Sequence, residues 1–191
     1  MIQQSHPTWL EINLDTITSN CAQILKDTGV ALMAIVKGEA YGHGAVEVSR
    51  AAVAGGAKWL GVARFSEARI LRKGGIRSPI LVLGMVTPEE VNEAIASQIT
   101  LTLHSSESLQ LFASRARDVN QHAYVHLKLD TGLGRLGVLA ENVAAFIRQI
   151  QFTGNIIVDG VFSHLAVTEE ATHPLNGLQL QRFRQALDAI R

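Results

Sequence analysis

The sequence predicts an α/β protein of the (β/α)8 TIM-barrel type that stops after about six βα units. Three observations carry this expectation. Short apolar runs alternate with longer helical stretches, and the alternation repeats six times. No glycine turn carries the GxGxxG fingerprint, in strand-to-helix context, that a dinucleotide-binding sheet uses. A complete barrel takes about 250 residues, and this chain has 191.

The elements follow in order. TWLEINLD (8–15) is strand-like, precedes a first helix over 16–27 and stands outside the repeat. ALMAIV (31–36) reads as a buried strand and YGHGAVEVSRAAVAGG (41–56) as a helix closed by glycines. WLGVA (59–63) leads into SEARILRKGG (66–75), with Ser66 placed to cap the helix and Gly74 to end it. ILVLG (80–84) leads into TPEEVNEAIAS (87–97), where Thr87 is the N-cap, Pro88 the first helical residue and Glu90 completes a capping box. ITLTL (99–103) precedes SSESLQLFASRAR (105–117). YVHLKLD (124–130) precedes a glycine loop and AENVAAFIRQI (140–150). IIVDGVFSHL (156–165) precedes a polar loop and QLQRFRQALDAI (179–190).

Composition narrows the function classes. Hydrophobic residues make up 47% and charged residues 18%, enough apolar material for an ordered core. Seventeen basic side chains balance seventeen acidic ones. That balance gives no electrostatic case for a nucleic-acid or anionic-membrane partner. Arg69, Arg72 and Lys73 read as a solvated helix face. The single cysteine, Cys21, excludes an intramolecular disulfide and a cysteine-based zinc site and reads as packing. No metal site is expected. MIQQSHPTWLEINLD carries no secretory pattern, and no apolar run reaches the roughly 18 residues that span a bilayer. A cytoplasmic protein is expected.

Barrel enzymes build their sites at the C-terminal ends of strands. That rule selects Lys37 after the first strand, Lys128 and Asp130 at the end of the fifth with Arg135 in the following loop, and His164 at the end of the sixth. A lysine directly after a buried strand has two readings: it snorkels to solvent, or partial desolvation prepares it as a nucleophile or Schiff-base amine. The residues after it favour the second. EAYGHGA places Tyr41 four residues on, with glycines that let a ligand approach the backbone near a helix start. Tyr41 can donate a hydroxyl to a phosphate or pack as a core aromatic, and His43 reads as a loop histidine. In HLKLDTGLGRLG (126–137) alternation puts His126, Lys128 and Asp130 on one face. That placement is costly unless the groups are paired or functional. Arg135 can hold a carboxylate bidentately. His164 is open between a satisfied core histidine and a group that stacks on a planar ligand or moves a proton.

Together these segments resemble the alanine racemase family. IVKGEAYGHG resembles its cofactor-lysine motif and HLKLDTGLGRLG its second signature. TWLEINLDTITSN, RSPILVLG and VFSHLA resemble its opening, third strand and sixth strand. The resemblance implies that Lys37 binds pyridoxal 5′-phosphate covalently and is one of two bases exchanging the α-proton of alanine, in the route to D-alanine for peptidoglycan. It implies that Tyr41 helps hold the phosphate and that Lys128 is open to carbamylation. Arg135 would lie near the cofactor's phenolic oxygen and the substrate carboxylate, and His164 would buttress the cofactor ring. Gly38 and Glu39 depart from the family's usual small residue and Asn or Asp, and Leu133 replaces its usual methionine.

By the same resemblance, residues 1–191 are an incomplete cofactor-binding barrel domain. The tyrosine that serves as second base belongs to a C-terminal β-domain, and an arginine facing the pyridine nitrogen belongs to the last barrel strands; all would lie beyond Arg191. The full-length enzyme is expected to be a homodimer. Alternatives are a single-barrel protein of pyridoxal-phosphate homeostasis without racemase activity, and a serine or broad-specificity racemase.

Overall fold

The computed structural model describes residues 8–190. Helix α1 (Leu14–Thr28) opens the chain, and β1 (Met33–Ile35) runs into the one-turn segment α2 (Lys37–Gly42). Then come α3 (Ala45–Ala54), β2 (Trp59–Val62), α4 (Phe65–Lys73), β3 (Ile80–Val82), α5 (Pro88–Ala96), β4 (Thr100–Leu103) and α6 (Ser106–Asp118). The long strand β5 (Ala123–Asp130) is followed by a two-residue strand β6 (Val138–Leu139), a 3-10 turn (Ala140–Asn142), α7 (Val143–Thr153), β7 (Ile156–Phe162) and α8 (Pro174–Ile190).

Every pairing in the sheet is parallel, and the order β1-β2-β3-β4-β5, with β7 on β5, follows the sequence without reversal. A doubly wound sheet reverses direction at a switch point, whereas a barrel winds one way. Six strands thus form the units that the sequence repeat predicts. β6 is an addition: it pairs Val138 and Leu139 with Leu129 and Asp130, folding the glycine loop back onto the end of β5. Among the described residues β1 and β7 do not pair, so the sheet is an arc. The arc curls tightly. Trp59 on β2 and His126 on β5 are separated by two strands, yet their rings lie 4.7 Å apart across the inside. The His126 ring also fills space above Gly160 of β7, where an added Cβ would lie 2.6 Å from the imidazole.

The inner strands β2 to β5 are largely buried on both faces, as parallel strands covered by helices are, whereas β1 and β7 at the ends of the arc are partly exposed. Leu60, Val62, Ile80, Val82, Leu101 and Leu103 are wholly inaccessible or nearly so. They belong to the same core as Phe65, Leu71, Val91, Leu109 and Phe112 from the helices. Each such side chain contributes about 1.5–3 kcal/mol of burial. Helix ends are satisfied locally. Thr87, Pro88 and Glu90 behave as expected, the Glu90 carboxylate accepting the Thr87 N–H at 3.0 Å.

Four local expectations need correction. TWLEINLD is not a strand: residues 8–13 have no regular structure, and the Asn13 side chain caps α1 by accepting the Thr16 N–H at 3.0 Å. Its alternation reflects no sheet partner, and Trp9 and Leu10 are largely exposed. The helix expected from residue 41 begins at Ala45, because Gly38, Glu39, Ala40 and Tyr41 all have φ between 52° and 58° and form a left-handed turn. Ser66 is not the cap of α4; the helix starts at Phe65, and the Glu67 carboxylate takes the free N–H of Arg64 at 2.9 Å. Arg72 is not on a solvated face, since its guanidinium donates to the carbonyls of Ile76, Ser78, Ser97 and Gln98. Cys21 is buried, as packing requires.

Among the described residues no helix is long and apolar enough to cross a membrane, and no group of three His, Cys, Asp or Glu is placed to hold a metal ion.

Candidate active site at the mouth of the sheet

The C-terminal ends of the strands surround an open cavity of about 370 Å³, with Lys37, Lys128, Arg135 and His164 in its wall beside Met85 and Phe162. These four ionisable residues come from sequence positions far apart, and the winding of the sheet brings them to one face. Tyr41 is not in the wall. Its ring lies 5.9 Å from Lys37 Nζ and is 65% exposed, which removes the core-aromatic reading.

Lys37 is held through its neighbours. The Glu67 carboxylate accepts the Gly38 N–H at 2.6 Å through one oxygen and those of Ala63 and Arg64, at 2.7 and 2.9 Å, through the other. One side chain of α4 therefore joins the residue after Lys37 to the end of β2. Val36, just before Lys37, is buried and donates its N–H to Gly61 at 2.8 Å. The left-handed turn that follows carries three non-glycine residues at positive φ. Such conformations cost about 1–2 kcal/mol each and persist only when their surroundings hold them. Here Glu39 reaches forward to accept the Ala45 N–H at 3.2 Å and caps α3. His43 turns Nδ1 to the carbonyls of Ala40 and Tyr41, at 2.9 and 3.1 Å, and serves the turn, as a loop histidine does.

On β5, Lys128 is buried and its Nζ lies 4.5 Å from the centre of the Phe162 ring. Burial holds its pKa below the ordinary lysine value, and the nearby Arg135 charge adds to this, while Asp130 opposes it. Asp130 does not face Lys128 as a paired acid. Its carboxylate accepts the N–H groups of Gly132 and Gly134, at 2.9 and 3.1 Å, shaping the loop that carries Arg135. His164 lies two residues beyond the end of β7. Partial burial depresses its pKa first, and the charges of Arg135, Lys128 and Lys37 depress it further. The imidazole is thus biased toward its neutral form.

Among the described residues none of Lys37, Lys128 and Arg135 forms an ion pair. Three basic side chains around the imidazole, with the Asp130 carboxylate turned to backbone amides, suit a planar anionic ligand. Lys37, Lys128, Arg135 and His164, all expected at strand ends, line one cavity, whereas Glu67, Phe162 and Gln179 were not singled out by the sequence. Two left a signal: Glu67 is three residues after Arg64, the spacing of a capping box, and Phe162 is two before His164 on the same side of an extended chain. Gln179 left none, because a polar residue on an amphipathic helix reads as solvent-facing.

A family model described as alanine racemase, N-terminal domain, matches residues 12–191. The chain belongs to this family. It is 43% identical over 188 residues to the alanine racemase of Halalkalibacterium halodurans, which covers 96% of this chain and 48% of that protein. It is 40% identical over 182 residues to the alanine racemase of Symbiobacterium thermophilum, covering 95% of this chain and 48% of that one. Among solved structures, alanine racemase from E. faecalis matches with a TM-score of 0.91 at 33% identity, covering 100% of this chain and 52% of the other. The chain spans about half the length of the relatives it matches, and the truncated-barrel fold of the alanine racemase N-terminal domain agrees with the arc described above.

Proposed function

We propose that residues 1–191 are the cofactor-bearing barrel portion of a pyridoxal 5′-phosphate-dependent racemase that interconverts L- and D-alanine, with Lys37 as the lysine that holds the cofactor. The observation that carries this reading is the convergence of Lys37, Lys128, Arg135 and His164 on one cavity in a chain of this family. The unpaired cations fit the group: pyridoxal 5′-phosphate brings a phosphate and a phenolic oxygen, both anionic acceptors. When bound, it supplies the electron sink that makes the α-proton of an amino acid acidic.

The chain's own residues then have distinct tasks. Lys37 holds the cofactor and, as an amine, takes or returns the α-proton on one face of the substrate. Tyr41, exposed on the turn that leaves Lys37, offers its hydroxyl to the phosphate. Arg135 binds the substrate carboxylate and neutralises the phenolic oxygen. His164, whose pKa is depressed first by partial burial and then by Arg135, Lys128 and Lys37, packs against the cofactor ring. Lys128 has the depressed pKa that leaves an amine free to add to carbon dioxide. The resulting carbamate would turn its cation into an anion that orients Arg135. The second base, a tyrosine, belongs to a C-terminal β-domain outside these residues, and the assembled enzyme is a homodimer in the cytoplasm.

The test is exchange of the alanine α-proton. With pyridoxal 5′-phosphate in deuterated water, the chain should accelerate exchange over free cofactor, and Lys37→Ala should not. Conversion of L- to D-alanine should stay slow for this chain by itself, since one base is missing. Equal exchange by Lys37→Ala and the parent chain would refute the proposal.

A further inference from the structure

The α8 side chain Gln179 is completely buried, with 0% exposure. An amide there is costly unless its groups are paired, and it is paired three ways. Its Nε2 donates to the His164 carbonyl at 3.0 Å and to Thr131 Oγ1 at 3.1 Å, while its Oε1 accepts the Ala166 N–H at 2.8 Å. Thr131 extends the network. Its hydroxyl lies 2.8 Å from Ser163 Oγ, which donates to the Leu129 carbonyl at 2.9 Å. Arg182, on the same helix, donates to the Thr131 carbonyl at 3.0 Å.

These bonds converge on two backbone segments. One is the chain leaving β5 toward Arg135, and the other is the chain leaving β7 through His164. Leu165, Leu180 and Phe183 stand around the same spot. A leucine or methionine at position 179 would satisfy packing there without the desolvation cost of an amide. The hydrogen bonds therefore have a role that packing does not fill.

We infer that Gln179 is a positioning residue of the mouth. It fixes the backbone at His164–Ala166 and at Thr131, so that the His164 ring and the Arg135 loop keep the registration in which both face Lys37. Its link to catalysis rests on the proposal that this mouth holds pyridoxal 5′-phosphate.

The test compares Gln179→Met and Thr131→Val with Ala186→Gly in the same 191-residue chain. Ala186 is a buried residue of α8 and serves as a control for loss of helix packing. In Gln179→Met the Ala166 amide should exchange about tenfold faster or more, the loss of one to two hydrogen bonds. The His164 ring resonances should shift, and binding of pyridoxal 5′-phosphate should weaken by a similar factor. Thr131→Val should deprotect the loop amides from Gly132 onward and leave Ala166 protected. Ala186→Gly should lower stability and change none of these signals. Parent-like His164 resonances in Gln179→Met, or the same shifts in Ala186→Gly, would overturn the inference. If the parent chain binds no cofactor, the functional proposal fails instead, and the exchange and resonance arms still decide the role of Gln179.

Discussion

The Glu67 carboxylate accepts the Gly38 N–H at 2.6 Å, fastening the residue after Lys37 to the first turn of α4. The same side chain takes two N–H groups at the end of β2, so its removal leaves three donors without a partner. Glu67→Ala should lower unfolding stability by about 2 kcal/mol, from bonds to a charged acceptor and a lost helix cap. Glu67→Gln should lose less, because only the amide facing Gly38 is wrongly paired. Urea unfolding measures both, and equal stability of all three chains would remove Glu67 from the support of Lys37.

Lys128 predicts a pH-dependent stability. Its folded pKa lies below the unfolded value, chiefly through burial and then through Arg135. In the window between the two, the unfolded chain binds more protons, so the cost of the lysine is full below the folded pKa and vanishes as pH rises toward the ordinary lysine value. Lys128→Met should therefore be more stable than the parent, by about 1 kcal/mol or more near neutral pH. The gap should narrow in alkaline solution. Cofactor-free chains unfolded in urea at a series of pH values supply the comparison; a gap that widens with pH contradicts the assignment.

The His164 imidazole should titrate below the ordinary histidine value of about 6.5. Its depression comes first from partial burial and next from Arg135, Lys128 and Lys37. Since the unfolded chain takes up the proton first, this group costs stability as pH falls through that window. Arg135→Gln should raise the midpoint, which proton NMR of the His164 ring can follow. An unchanged midpoint in Arg135→Gln would place the guanidinium away from the imidazole.

Much of this was legible in the sequence, and the gaps have physical causes. Strands such as ILVLG and ITLTL and the cap at Thr87 were readable because burial on both faces and a free N–H each demand particular residues. The left-handed turn was not readable, since Glu39, Ala40 and Tyr41 have no intrinsic preference for positive φ; bonds from Glu67 and Glu39 hold that segment. TWLEINLD misled because alternation alone does not supply a neighbouring strand. Lys128 and His164 could be placed at one mouth from strand ends alone. The buried role of Gln179 depends on which way α8 faces, and its own pattern does not fix that.

Gly137 sets the return of the Arg135 loop. Its φ is 134°, and an added Cβ would come within 2.7 Å of the Asp130 nitrogen and 3.0 Å of the Lys128 carbonyl oxygen. Backbone atoms cannot move aside as a side chain can. Gly137→Ala should cost about 2–3 kcal/mol and detach Val138 and Leu139 from β5. Thermal unfolding and loss of the cross-strand amide protection at Val138 test this, and a parent-like melting temperature would show that the loop has another way back.

Borohydride trapping tests directly whether Lys37 is the lysine that holds the cofactor. The chain is incubated with pyridoxal 5′-phosphate, reduced with borohydride, digested and sequenced by mass spectrometry. One reduced cofactor per chain is expected, on Lys37, with none retained by Lys37→Ala. Labelling that falls on Lys128 or is spread over surface lysines, or that persists in Lys37→Ala, would contradict it.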